Sequence, residues 1–167
     1  MTSIESLTDL VIERTKALAS VPAPSLDESE RAEIVRKWWE DDFNPVIVDS
    51  IGNVWASVQQ GPGPALVVAA HLDTVFDRAV AHGTRTEAGR LYGPSVGDDS
   101  VAVAALSAAA QLLPDDCGNV WILATVGEEG IGNLAGIRHA LANPQAPIGA
   151  LIAVEGNWLG RVCLTAV

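Results

Sequence analysis

The sequence predicts an α/β domain of three layers, with a mainly parallel central sheet and helices on both of its faces. Three observations carry that prediction. Short continuous apolar runs, the pattern of strands covered on both sides, recur at residues 65–70, 120–126 and 150–154. Segments long enough for helices alternate with them, which is the order of a parallel α/β sheet. The chain has 167 residues, 49% apolar and 19% charged, a balance that sustains one packed core.

Taken in order, residues 3–19 read as a helix with Leu7, Leu10, Val11 and Leu18 on one face. Pro22 and Pro24 stop it. Ser25-Leu26-Asp27-Glu28 has the form of a capping box, in which Ser25 accepts a backbone N–H and Glu28 reaches back. The helix it opens runs to Trp39–Asp42. Val46-Ile47-Val48 and the run from Val54 to Val58 are short strands joined by a turn around Gly52-Asn53. Gly61-Pro62-Gly63-Pro64 is a loop. After the strand at 65–70, residues 74–97 are loop-rich, with a short strand near Arg90-Leu91-Tyr92. Val101 to Leu113 is an alanine-rich buried helix ended by Pro114. A buried strand at 120–126, a helix from Asn133 to Ala142, a third buried strand from Ala150 to Val154 and a further strand from Arg161 to Val167 complete the chain. The apolar pattern runs up to Val167 without a turn or polar tail, which leads us to expect a domain cut short.

The formal net charge is −11. A charge of that sign disfavours nucleic acid and anionic membrane as partners, and it suits a site where carboxylates gather around cations. The N-terminus lacks the basic-then-apolar pattern of a signal peptide, and no apolar run reaches the length of a membrane span. Cys117 and Cys163 have no metal-ligand spacing and read as free thiols of a reducing, cytoplasmic compartment. No Gly-x-Gly-x-x-Gly follows a strand and no phosphate-binding Gly-Lys-Ser/Thr loop exists, so a nucleotide domain is disfavoured. His82 and His139 fall on loop and helix surface, and the five Trp residues read as core or interface.

Each apolar strand runs into an acid or a histidine. Residues 66–70 lead to His71-Leu72-Asp73, residues 121–127 to Glu128-Glu129, and residues 151–154 to Glu155. Parallel strands would bring all of these to one edge, at their carboxyl ends, where open α/β sheets bind ligands. Gly97-Asp98-Asp99 stands just before the 101–113 helix, at the end that favours carboxylates. So many acids together repel one another unless cations are present. One histidine with several carboxylates suits Zn²⁺, Mn²⁺ or Co²⁺.

At these residues the sequence resembles the co-catalytic zinc exopeptidase and amidohydrolase superfamily of peptidase T, aminoacylase, carboxypeptidase G and succinyl-diaminopimelate desuccinylase. The matching segments are His71-Leu72-Asp73-Thr74-Val75, residues 92–99 (Tyr-Gly-Pro-Ser-Val-Gly-Asp-Asp), Gly127-Glu128-Glu129-Gly130 and Val154-Glu155-Gly156. The resemblance implies that His71, Asp98 and Glu155 hold one zinc ion, and that Asp98 bridges to a second that Glu129 also binds. It further implies that Asp73 orients His71 and that Glu128 is the general base of amide hydrolysis by a water bridged between the two ions. A cis peptide bond between Asp98 and Asp99 belongs to the same expectation. The substrate would be a small peptide, cleaved in aminopeptidase fashion, or alternatively an N-acyl amino acid.

The sequence departs from that pattern in two ways. Ser100-Val101 stands where Lys or Asn and then Gly usually follow the Asp-x pair. The late histidine of the second metal site, and the lid domain that supplies dimer contacts and substrate-binding residues, have no counterpart in 1–167. The expectation is therefore the N-terminal portion of a metal-binding catalytic domain, with little turnover alone. A silent metal-binding fragment is the alternative, and homodimerisation would need the absent lid.

Overall fold

The computed structural model describes residues 3–155 and 162–164. Helix α1 spans Ile4–Ala19 and opens on Ser3, whose side chain accepts from the backbone N–H of Ser6. It buries Leu7, Thr15, Leu18 and Ala19. Leu10 and Val11, expected on that face, are half-buried. Helix α2 spans Ser29–Asp42 and buries Arg31, Ala32, Val35 and Trp39.

The capping box expected at Ser25–Glu28 does not form, since Glu28 sits at the cap position with no side-chain cap bond. Ser25 Oγ donates instead to Asp73 Oδ2 at 2.7 Å. Glu28 Oε1 accepts from the backbone N–H of Leu26 at 2.6 Å and of Gly127 at 2.9 Å. A carboxylate acceptor for the serine, and two amides for the glutamate, one of them buried, are stronger partners than the exposed helix end.

Strands β1 (Val46–Val48) and β2 (Val54–Gln59) form an antiparallel pair. Their turn is organised by Asp49, whose Oδ1 accepts from the N–H groups of Ile51 and Asn53. Gly52 supplies the positive φ of 103° that the turn requires. Strand β3 is Ala65–His71. An exposed two-stranded hairpin follows, β4 (Arg85–Glu87) with β5 (Arg90–Tyr92). Its first strand left no apolar alternation to read; the hairpin turns at Ala88 and Gly89, both at positive φ. Helix α3 is Val101–Ala110, strand β6 Val120–Thr125, helix α4 Ala135–Ala142 and strand β7 Ile148–Ala153. Helix α4 begins two residues later than the pattern suggests, because Asn133 and Leu134 are both left-handed.

The five-stranded sheet has the order β1-β2-β6-β3-β7. β3 pairs in parallel with both β6 and β7. β2 is antiparallel to both β1 and β6, so four strands point one way and β2 alone opposes them. Alternating side chains feed two cores. On one face Val54, Ile122, Ala124 and Ala70 meet Leu18 of α1, Val35 and Trp39 of α2, and Val103 and Leu106 of α3. On the other, Trp55, Val67, Ala69, Trp121 and Leu123 meet Ile137 and Ala140 of α4. The layered α/β architecture is thus the one the sequence predicts.

Two details differ. The β7 strand is not buried on both faces: Ile152 is 50% exposed, since β7 stands at the sheet edge with β3 as its one described neighbour. The strand expected at 161–167 falls largely outside the described residues. Within it, residues 162–164 form no strand, and Val162 and Leu164 are exposed with no strand of the described residues pairing them. No helix among the described residues is long and apolar enough to cross a membrane.

Candidate metal centre

Strand register sets the rim. His71 closes β3 opposite Thr125 of β6, and Ala69 lies opposite Ala153 of β7. The chain leaves β6 and β7 on the same edge, which puts Glu128, Glu129 and Glu155 beside His71. From the opposite quarter comes the kinked turn Val96–Ser100, in which Asp98 (φ −125°, ψ 95°) and Asp99 depart from helical geometry. The Asp98-Asp99 peptide bond is cis, as the family resemblance implies.

His71 is 3% exposed. Its Nε2 lies 2.9 Å from Asp98 Oδ1, and its Nδ1 lies 3.0 Å from the backbone oxygen of Asp73 and 3.4 Å from Asp73 Oδ1. One set of donor atoms, from His71, Asp98 and Glu155, lies within 4.8 Å of one another; so does a second, from His71, Glu128 and Glu129. The five residues anticipated as ligands or base are therefore brought together. Glu129 forms one cluster with His71 and Glu128, and it also lies close enough to Asp98 that this charge adds to burial in raising its pKa.

Asp73 is fully buried and acts as a tether. Its Oδ1 accepts from the N–H of Glu128 at 2.9 Å, and its Oδ2 from the N–H of Glu129 at 2.8 Å. One carboxylate thus holds the loop carrying both glutamates and lies 3.4 Å from the His71 ring. Burial pushes the Asp73 pKa up, but His71, Ser25 and these two amides outweigh it and hold the group down at about 2.

Sequence reasoning missed Asp99, Glu28 and Arg31. Asp99 is fully buried; its Oδ2 accepts from the N–H of His71 at 3.1 Å, and its Oδ1 has no partner. Burial raises its pKa to about 8 against the pull of His71. Glu28, buried, ties Leu26 to Gly127. The signal for Arg31 was present: it shares the Val35–Trp39 stripe of α2, where an apolar residue was due.

The electrostatics of the rim call for positive charge. Burial and the neighbouring carboxylates raise Glu128, Glu129 and Glu155 together. Burial disfavours the charged imidazole of His71, yet Asp73, Asp99 and Glu155 overcome this and lift its pKa to about 10. A site that draws a proton so firmly onto its one imidazole has the donor chemistry for a divalent ion, with one nitrogen and several carboxylate oxygens to coordinate it. The residues present fit such an ion.

The geometry thus defines a three-layer α/β domain with an imidazole and carboxylates gathered on one sheet rim. Residues 67–166 match the profile of Peptidase family M20/M25/M40, and the chain belongs to that family. Solved structures of the same fold include aminopeptidase PepT from Bacillus cereus, with 19% identity, 90% of this chain and 44% of that chain covered, and a TM-score of 0.72. The YXEP protein of Bacillus subtilis, described as a dinuclear metal-binding peptidase of the M20 family, shares 16% identity over 92% of this chain and 44% of its own, with a TM-score of 0.67. A tripeptidase from Staphylococcus aureus gives 17% identity, 90% and 44% coverage, and a TM-score of 0.65. At these identities the likeness establishes the fold. This chain spans 44% of the length of each of the three. No curated protein matches it in sequence.

Proposed function

We propose that the chain is the metal-binding half of a metal-dependent amide hydrolase, one that cleaves small peptides in aminopeptidase fashion. His71, Asp98 and Glu155 would hold one ion; Glu129, with Asp98, would contribute to a second. Zinc is the ion we assign, with manganese or cobalt as substitutes of similar ligand preference. The observation that carries this reading is the convergence of His71, Asp98 and Glu155 within 4.8 Å, on an edge where no fold requirement demands acids.

When bound, such ions polarise the scissile carbonyl and lower the pKa of water at the site. The chain's own residues supply the rest. Glu128, half-buried and raised by burial and by the charges of Glu129 and Glu155, is suited to take a proton from the attacking water. It then returns that proton to the leaving amine, so that water and amide become carboxylate and amine. Asp73 keeps Glu128 and His71 in register through the Glu128 N–H and the His71 ring. Peptides and N-acyl amino acids present the same amide to this machinery, so the side of the substrate beyond the amide is selected elsewhere.

Metal analysis of the purified chain beside Asp98→Ala tests the assignment. The wild type is expected to retain a divalent ion after dialysis and the variant to lose it. A wild type that retains none removes the basis of the proposal.

A further inference from the structure

Arg31 is only 1% exposed. Burying a guanidinium is costly, and a buried one usually faces a carboxylate that offsets the cost. The charge of Asp73 acts on Arg31 from nearby, but every hydrogen-bond partner of the guanidinium is a neutral oxygen. Nε donates to the backbone oxygen of Val21 at 2.8 Å. One terminal nitrogen donates to the backbone oxygen of Leu72 at 2.9 Å and reaches Ser100 Oγ at 3.4 Å. The other donates to Ser95 Oγ at 2.8 Å.

The positions of those acceptors matter more than their number. Leu72 lies between His71 and Asp73. Ser95 and Ser100 bracket Asp98 and Asp99, and Ser95 sits at a left-handed φ of 56° where the chain enters the kinked turn. Their hydroxyls also lie 3.3 Å from each other. A single planar fork therefore joins the end of β3 to both ends of the segment carrying Asp98. Between those two pieces falls the 2.9 Å approach of His71 Nε2 to Asp98 Oδ1. None of the arginine's bonds uses an atom of a candidate ligand side chain, so the fork fixes positions while leaving the ligand atoms free. An aliphatic residue would fill the stripe beside Val35 and Trp39, but it would leave Leu72 O, Ser95 and Ser100 without this donor.

We propose that Arg31 is a positioning residue of the metal centre: it holds the Ser95–Ser100 turn against the end of β3 and so sets where Asp98 stands relative to His71. This rests on the reading of His71, Asp98 and Glu155 as a cation-holding set. Lysine cannot substitute, because an ammonium on a flexible stem lacks the fixed fork that spans both pieces.

The test measures zinc affinity by competition with a chromophoric chelator, under conditions where circular dichroism shows each protein folded. Urea unfolding of the metal-free forms runs alongside. Arg31→Lys is expected to bind zinc about 10-fold or more weakly, the range seen when residues supporting metal ligands are removed. The double variant Ser95→Ala/Ser100→Ala keeps the arginine but loses its grip on the turn, and its affinity should fall in the same direction. Val35→Ala removes core packing from the same helix, and should lose stability without losing affinity. Arg31→Lys with wild-type affinity would overturn the proposal, as would a Val35→Ala variant that loses as much affinity as Arg31→Lys. Should Arg31→Lys fail to fold, the double serine variant decides alone. A wild type that binds no zinc defeats the metal reading itself; a wild type that binds it, with unaltered variants, defeats only the role of Arg31.

Discussion

Raising the pH of the metal-free protein should destabilise it, and the size of the effect follows from His71. Burial opposes the charged ring, but Asp73, Asp99 and Glu155 raise the folded-state pKa from 6.5 to about 10. A histidine raised in this way contributes its full stabilisation below the unfolded value and loses it as pH rises through the folded one. Between those limits the folded state keeps a proton that the unfolded state has released. Each pH unit then costs up to about 1.4 kcal/mol; because the unfolded ring is still half protonated at about pH 6.5, a rise from there to about pH 8.5 costs about 2 kcal/mol. Asp99, whose folded pKa burial raises to about 8, acts in the same direction, and while it stays protonated the pull on His71 comes from Asp73 and Glu155. Asp73 has the opposite sign, but its folded pKa is about 2, so its contribution is lost only in acid and does not enter this window. The assay is urea unfolding followed by tryptophan fluorescence, with a chelator present, at the two pH values. Saturating zinc should reverse the trend, since coordination requires the neutral ring and releases its proton. A metal-free midpoint that stays level or climbs with pH would refute the account of His71 as the proton trap of an acidic rim.

Four further outcomes are expected. Asp73→Asn turns one acceptor into a donor facing the Glu128 or Glu129 N–H, or Ser25; chemical denaturation should register a loss of about 3 kcal/mol or more. Gly132→Ala would set a Cβ 2.5 Å from the backbone carbon and oxygen of Gly127, so the loop bearing Glu128 and Glu129 must shift. Thermal melts should show a cost of about 1–3 kcal/mol, the range for overpacked sites. In a longer polypeptide that supplies the remaining length of its relatives, Glu128→Gln should cut turnover by about 10²–10⁴-fold with zinc content intact. There Glu129→Gln should lower the zinc content, and the reverse outcome would exchange the two roles.

What could be read from the sequence was what repeats or ends abruptly. Apolar runs at 65–70 and 120–126 marked β3 and β6, because a strand covered on both faces tolerates few polar residues. The acids and histidine that interrupt those runs marked the rim. Burial at β7 was misjudged, since the same apolar run serves a strand that stands at the edge among the described residues, and its exposed Ile152 leaves no trace in composition. Partners distant in the chain were illegible. Ser25 and Glu28 satisfy a local capping rule on paper, yet bind Asp73, 48 positions away, and Gly127, 99 away. Local spacing could not reveal that a buried carboxylate and a buried amide outcompete a solvated helix end. Arg31 gave a partial signal as a charge on an apolar stripe, but its acceptors, a backbone oxygen at Leu72 and the hydroxyls of Ser95 and Ser100, become evident only once α2 is packed.

These distant partners share a division of labour. Asp73 accepts from the N–H groups of Glu128 and Glu129, Glu28 from that of Gly127, and Asp99 from that of His71, while Arg31 donates to Leu72, Ser95 and Ser100. Each tether grips the backbone or a neighbouring hydroxyl of a rim segment and leaves the proposed ligand and base atoms unused. Repulsion among the rim carboxylates would spread flexible loops apart; tied at the main chain, they stay close, and burial together with neighbouring carboxylates raises the pKa of Glu128, Glu129 and Glu155. On the proposed function the repulsion would thereby be retained in the folded chain as affinity for a cation, with less ordering left to be done when one binds.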